Sequence, residues 1–564
     1  MARLVLLAHF MLLCCGLFAQ HEFITEWKVS APPYDITFPG IGINYKIEWE
    51  QKGAAGVAGV INHAGNGQLI SFPGAGTYTV KVTPGVGSFR GVNSGEYPAS
   101  VALLEKVTQW GTIQWSSLHF AFAGCNALDV TATDIPDLSG VKALHFMFYG
   151  CSKLVGNAHF DRWITTGVTD MSHMFSGARL FNQPIDWDMA TVTDISGMFA
   201  EASLFNQPIG NWETGSVTDM QFTFTEADSF NQPIGNWKTD NVLDMSNMFR
   251  GTNSFNQPIG DWNTGKVRDM SNMFAFTSAF NQPIGGWDTR SVTNMSSMFS
   301  YASSFNQPIG SWQTNNVTNM SSVLNYASAF NHPISNWNLS GLSSNITLTG
   351  SGMDCTAYSA TLEGWATSAA TPDNMALAAV GMVYNASATA TRQQLVNKGW
   401  SINGDTYDPD CVGNALPVHF GAVKATIRGN RIFVGWESLQ EVNNDYFEVQ
   451  ASADGQVFHK LGDLGTQAPE GNSDSLLSYS FEAGLNGAGA AIGVTALLVI
   501  LGMAGHQRKK QLLLLMTAVL LLAIISCAKQ DIDRSVDREI FIRIKQVDKD
   551  GNFQYSKTVK AVRE

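Results

Sequence analysis

The chain has 564 residues, a charged fraction of 14% and a net charge of −13. Phosphate recognition needs clustered Lys and Arg, so this balance excludes nucleic acid as a partner. A charged fraction well below the usual quarter or so, with ample aromatics, points to ordered β-rich or repeat architecture and away from disorder.

In chain order, residues 1–20 read as a secretory leader. Arg3 supplies the positive start, Leu4 to Leu13 the apolar stretch, and Leu17-Phe18-Ala19 the small-residue cleavage site. Neither Cys14 nor Cys15 follows the small residue that N-terminal lipidation requires. Export opens the way to disulfides among Cys125, Cys151, Cys355, Cys411 and Cys527. Residues 21–112 alternate, as in Asn44–Glu50 and Gly76–Val82, with Gly-rich turns between, which predicts a small β-sandwich. The Gly76-Thr-Tyr-Thr-Val80 piece resembles a polycystic-kidney-disease-type domain, although Gln51-Lys-Gly53 stands where that family has an acidic Gly-Asp-Gly turn.

A repeat dominates residues 113–345. Phe-Asn-Gln-Pro-Ile recurs from Phe181, Phe205, Phe230, Phe255, Phe280 and Phe305, with an echo at Phe330. Tryptophan keeps the same beat from Trp187 to Trp337, and degenerate copies lead in through Phe122-Ala-Gly-Cys125 and Phe148-Tyr-Gly-Cys151. In Val267–Phe274 the apolar residues fall at i, i+3, i+6 and i+7, a helical stripe of two turns. Phe280–Trp287 is too short and Pro-broken for a helix and predicts an extended segment. One short helix plus one short strand per coil is the leucine-rich-repeat solution, in which stacking supplies the core that no single coil can bury. The unit resembles the BspA-type surface-protein repeat of bacteria and mycoplasmas. The copies near Cys125 resemble the related treponemal type. That resemblance implies a cell-surface or secreted protein, some of whose relatives are linked to adhesion.

Within each unit the Asn-Gln pair has two readings. Gln207, Gln232, Gln257, Gln282 and Gln307 form a candidate binding ridge, or the pairs satisfy backbone groups of the next coil. The Asp or Asn of the Thr-Asp-Met step (Asp219, Asp244, Asp269, Asn294, Asn319) suits a helix N-terminus; a calcium ladder is disfavoured because two of the five are neutral. The Met stripe and the repeated Trp read as core. Were the Trp rings to line an open face, carbohydrate stacking would be the better reading.

Residues 346–412 predict a helical cap, with helices over Tyr358–Ala370 and Ala390–Lys398, bracketed by Cys355 and Cys411 as a candidate disulfide. Cys125 and Cys151 stack in neighbouring coils, as a bridge or as two packed thiols. Residues 416–482 alternate again and resemble a fibronectin-type-III-like module of exported Bacteroidetes proteins. Its missing strands reappear in 538–564, where Ile540–Val547 and Phe553–Val562 flank an Asp-Gly turn. The insert between them, 486–528, carries two apolar runs around Arg508-Lys-Lys510, which predicts a helical transmembrane hairpin with its loop inside. Ile524-Ile-Ser-Cys527 resembles a lipobox, which makes Cys527 a candidate lipidation site.

The predicted fold class is therefore mixed and β-rich: a leucine-rich-repeat-like solenoid flanked by β-sandwich domains, with a transmembrane hairpin. The predicted protein is exported and membrane-anchored, with most of the chain outside the cytoplasm. Its partners are an extracellular protein or glycan, and a membrane held through two helices. Gly-x-Ser-x-Gly, His-Glu-x-x-His and phosphate-loop patterns are missing, and His21, His145 and His159 lack metal-ligand spacing. The expectation is a binding or adhesion scaffold with no cofactor, no metal and no catalytic residues. A structural envelope spacer and a glycan-active enzyme accessory stand as alternatives.

Overall fold

In a computed structural model of the chain, the described residues are 21–411, 419–441, 444–453, 455, 458–471, 473, 476–484, 539–549 and 553–563. Contacts divide the chain into two compact units, 1–412 and 413–564. The leader expected over 1–20, the apolar runs of 486–528 and Cys527 lie outside the described residues.

The first unit opens with strands β1 (Phe23–Val29), β2 (Asp35–Phe38), β3 (Gly40–Gln51), β4 (Ala58–Gly65), β5 (Gln68–Ser71), β6 (Gly76–Thr83), β7 (Ser88–Val92), β8 (Leu104–Gln109) and β9 (Asp129–Val130). The main sheet runs β4-β3-β6-β1-β8-β9, with β7 on β3 and a separate β2–β5 pair. Alternation buries one side: Phe23, Trp27, Tyr45, Tyr78 and Val80 are fully enclosed. The last pairing, Lys106 with Asp129, is parallel and carries the sheet into the repeat array, since β9 lies in its first coils.

The coils stack in register. Single parallel bridges join Asp170, Asp194, Asp219, Asp244, Asp269, Asn294 and Asn319 in succession. Phe249 stacks on Phe274 at 5.7 Å, Phe255 on Phe280 at 6.0 Å and Trp262 on Trp287 at 6.5 Å, all nearly parallel and buried. The seven indoles from Trp187 to Trp337 also donate to the coil before them, as Trp262 Nε1 does to the Ile234 carbonyl at 3.1 Å. The glycine after Pro-Ile marks a close approach: a Cβ on Gly260 would sit 2.4 Å from the Pro283 carbonyl oxygen.

The stack continues through β10 (Ile346–Thr347), β11 (Ala376–Ala378) and β13 (Ser401–Asn403), which pair in parallel; β12 (Val383–Tyr384) pairs β14 (Thr406–Tyr407). Helix α1 (Cys355–Thr367) starts three residues before its apolar pattern does. Asp354 caps it by accepting from the Thr356 and Ala357 amides. Trp365 of α1 donates to the Ile334 carbonyl, the same bond the repeat tryptophans make. Helix α2 (Thr389–Asn397) follows.

The second unit packs two sheets. One is β19-β16-β15-β23, formed by β15 (His419–Arg428), β16 (Arg431–Gln440), β19 (Leu477–Gly484) and β23 (Val562–Arg563). The other is β18-β17-β20-β21 with β22 on β20, formed by β17 (Asn444–Ser452), β18 (His459–Gly465), β20 (Phe541–Asp548), β21 (Phe553–Tyr555) and β22 (Val559–Lys560). Strands from both sides of 485–538 therefore share one core, which contains Trp436, Phe447, Val449, Tyr479, Ile542 and Ile544.

The expected fold class is corrected in two respects. The described chain is β-rich with few helices, and none of them is long and apolar enough to cross a membrane. A membrane-anchored location and a tether through two helices are accordingly withdrawn. They rested on apolar run length near the minimum for a span, a signal that buried segments share. The coils, moreover, lack the helix-plus-strand of a leucine-rich repeat. Val267–Phe274 folds as successive turns, because Asn272 and Phe276 adopt left-handed backbone (φ 54° and 61°) and interrupt any helix. Alternate amides serve different partners. Met273 and Ala275 close turns within the coil onto Met270 and Asn272. Asn272, Phe274 and Phe276 donate to Ser296, Met298 and Ser300 of the next coil. Apolar spacing of three to four residues thus arises from tight turns and mimics a helical stripe.

Candidate binding surface

The glutamine ridge is engaged from within. Gln257 Nε2 donates to the Asn231 carbonyl at 3.1 Å and to Asn231 Oδ1 at 3.0 Å, and Gln207, Gln232, Gln282 and Gln307 repeat this one coil at a time. Each Asn Oδ1 also accepts the amide of the next Asn, as Asn231 does from Asn256 at 3.0 Å. The pairs form a continuous amide ladder that leaves glutamine without its donors for a ligand.

Cys355 and Cys411 form a disulfide, with Cα atoms 6.4 Å apart. Cys125 and Cys151 are free and buried. Burial pushes the Cys125 thiol up to about 12 and Cys151 well above its usual value, so neither supplies a thiolate at neutral pH. The acidic column carries carboxylates on successive coils. Asp219, half-buried and flanked by Asp194 and Asp244, has its carboxyl raised, first by desolvation and then by those neighbours, against the lowering effect of the Gln221 amide. Where the column turns to asparagine the repulsion becomes a bond: Asn294 Nδ2 donates to Asp269 Oδ2 at 2.9 Å. Among the described residues no group of three His, Cys, Asp or Glu is placed to hold a metal ion.

The surface feature that sequence reasoning missed is a column of left-handed residues. Gly124, Gly150, Gly177, Glu201, Glu226, Gly251, Phe276, Tyr301, Tyr326 and Gly350 occupy it, all with positive φ. Each of these amides donates to the following coil, as Tyr301 N does to the Asn325 carbonyl at 2.8 Å, so the column is a row of rungs. Glycine is the least strained occupant. Three successive coils instead carry rings there, and Phe276, Tyr301 and Tyr326 are 45%, 44% and 46% exposed. The rings stack at 4.9 Å and 4.8 Å. By contrast, the Trp rings of the same coils are buried. Arg250 covers the free face of Phe276 at 5.3 Å and pairs with Glu226 at 2.9 Å. Upstream of the rings, two shallow hollows of about 370 Å³ open along the column, one lined by Gly150, Gly177 and Arg179, the other by Glu201, Glu226 and Gly251. The signal that would have found the column is the alignment of these residues at the repeat interval against glycine in the other coils.

Residues 116–186, 185–278 and 257–365 each match the model of a family described as "Mycoplasma protein of unknown function, DUF285". No curated protein matches the chain, and no solved structure does.

Proposed function

We propose that the protein is a surface binding scaffold of the BspA type, whose repeat array presents a contact face to a protein or glycan and performs no catalysis. One observation carries this reading: exposed, stacked rings at Phe276, Tyr301 and Tyr326 in an array whose Trp rings are all enclosed. Bulky residues at positive φ cost stability, on the order of 1–2 kcal/mol each, and strain held on a surface points to use. The resemblance of the unit to adhesion-linked repeats supports the reading, as does a disulfide, which belongs to oxidising surroundings. Immobilised full-length chain, probed with arrays of extracellular-matrix proteins and glycans, tests it. Saturable retention of a protein or glycan is the expected result. A chain that retains neither is a structural spacer.

A further inference from the structure

From Ser291 to Met353 the chain contains no Asp, Glu, Lys or Arg. This stretch takes up the coils that carry Tyr301 and Tyr326 and ends just past Gly350. Its outward polar groups are Ser, Asn, Thr and Gln. Upstream coils differ: Arg179 pairs with Glu201, Lys238 with Glu213 and Arg250 with Glu226. The array therefore changes from a charged surface to a neutral one within the ring column: Phe276 stands at the charged border, under Arg250, and Tyr301 and Tyr326 stand in the neutral stretch.

The rings offer edges, not faces. Arg250 closes one end of the stack. At the other end the Gly350 backbone lies under Tyr326, so close that a Cβ there would stand 2.5 Å from the ring. Between them each ring covers its neighbour. A sugar that stacks on an aromatic needs an open face, and this column has none. What it presents is a strip of ring edges and two phenol hydroxyls in a bed of Ser and Asn. Surfaces rich in Tyr, Ser and Asn bind polypeptides well, because Tyr brings large rigid contact area and short polar side chains adapt their hydrogen bonds. Three ring edges are also far too small for a stable contact between two copies of this chain, which needs about 800 Å² from each side.

Resting on the scaffold reading above, we propose that the neutral coils of Tyr301 and Tyr326, with Phe276 at their border as a third anchor, bind a polypeptide segment through uncharged contacts. Recognition is by apolar edge contact and amide or hydroxyl hydrogen bonding. It owes nothing to ion pairing, so the affinity is insensitive to salt.

The test selects peptides from a phage-displayed random library on immobilised full-length protein, with a neutral-glycan array run in parallel. The expected result is a set of peptides whose affinity is unchanged between about 0.1 and about 1 M salt, where the Debye length shrinks from about 10 to about 3 Å. Phe276→Gly/Tyr301→Gly/Tyr326→Gly installs the residue that five other coils already use, and is expected to weaken these peptides at least about tenfold, or about 1.4 kcal/mol. Its thermal unfolding is expected to stay within a few degrees of the parent. Tyr301→Asn, which tolerates the same backbone, gives a milder loss and stands in should the triple variant misfold. Peptides bound equally well by the parent and both variants, or released by salt, overturn the inference. Retention of neutral glycans without any peptide overturns it and leaves the scaffold reading intact. Saturable binding of neither class removes both.

Discussion

Replacing Asp219 with Asn is expected to stabilise the array at neutral pH. Asp219 stands between Asp194 and Asp244 on adjoining coils, bridged to both through the backbone. Its carboxyl is raised, chiefly by desolvation. A raised folded-state value means that the folded chain holds the proton more tightly than the unfolded one. The group's favourable contribution is therefore complete below the unfolded value of about 3.9 and is lost as pH rises through the folded value. Above that window the ionised carboxylate is a liability. Like charges facing each other across strands cost roughly 0.2–1 kcal/mol, and there are two such neighbours. The hydrogen-bond changes offset each other: an Asn gains a donor, as Asn294 uses on Asp269 at 2.9 Å, and gives up the Oδ2 that accepts Gln221 Nε2 at 3.1 Å, each worth about 1 kcal/mol. The Asx bond to the next turn survives, since Asn294 Oδ1 still accepts the Ser296 amide at 3.1 Å. The half-exposed setting screens the charge term, so the total is about 1 kcal/mol. Urea denaturation of parent and Asp219→Asn at pH 7 and near pH 3 measures it. With the hydrogen-bond changes offsetting each other, the gain should vanish at the acidic pH. An equal gain at both values, or none at pH 7, refutes the role assigned to the carboxylate column.

Three further outcomes follow from the ladders and the cysteines. Asn256→Ala removes the acceptor of both the Asn281 amide at 3.0 Å and Gln282 Nε2 at 2.9 Å, and should cost about 1–3 kcal/mol. Gln282→Ala leaves no amide orphaned and should cost less; denaturant midpoints rank the two. Reducing the Cys355–Cys411 bond, which closes a separation of 56 residues, should cost about 4 kcal/mol on the loop-entropy scale, read as earlier proteolysis within the C-terminal coils. Cys125 and Cys151, kept protonated by burial, should resist a thiol reagent at pH 8 in the folded protein and react on unfolding.

The stacked rings were legible because the period is direct. Phe and Trp recurring on one beat must meet their copies once the coils pile up. The internal build of each coil was not. Val267, Met270, Met273 and Phe274 lie on one side whether the segment is a helix or a run of tight turns, and the deciding angles at Asn272 and Phe276 leave no mark on hydrophobic spacing. The ring column was hidden for a related reason. Phe276, Tyr301 and Tyr326 read as three more apolar residues in an apolar-rich unit, and only comparison with Gly251 and Gly350 at the same register sets them apart. The glutamine ridge illustrates the opposite hazard: conspicuous repetition of Gln207 to Gln307 reflects bonding to the preceding coil.

The left-handed column has an evolutionary corollary. Its rung is made by the main chain, and its side chain projects away from the stacked interior, so a change of occupant alters local backbone strain and leaves the stacked interior untouched. Glycine, glutamate and aromatic rings already take turns there. Each added coil thus supplies one more interchangeable slot at a fixed pitch, and such a protein can rewrite what it displays, slot by slot, without renegotiating how it holds together.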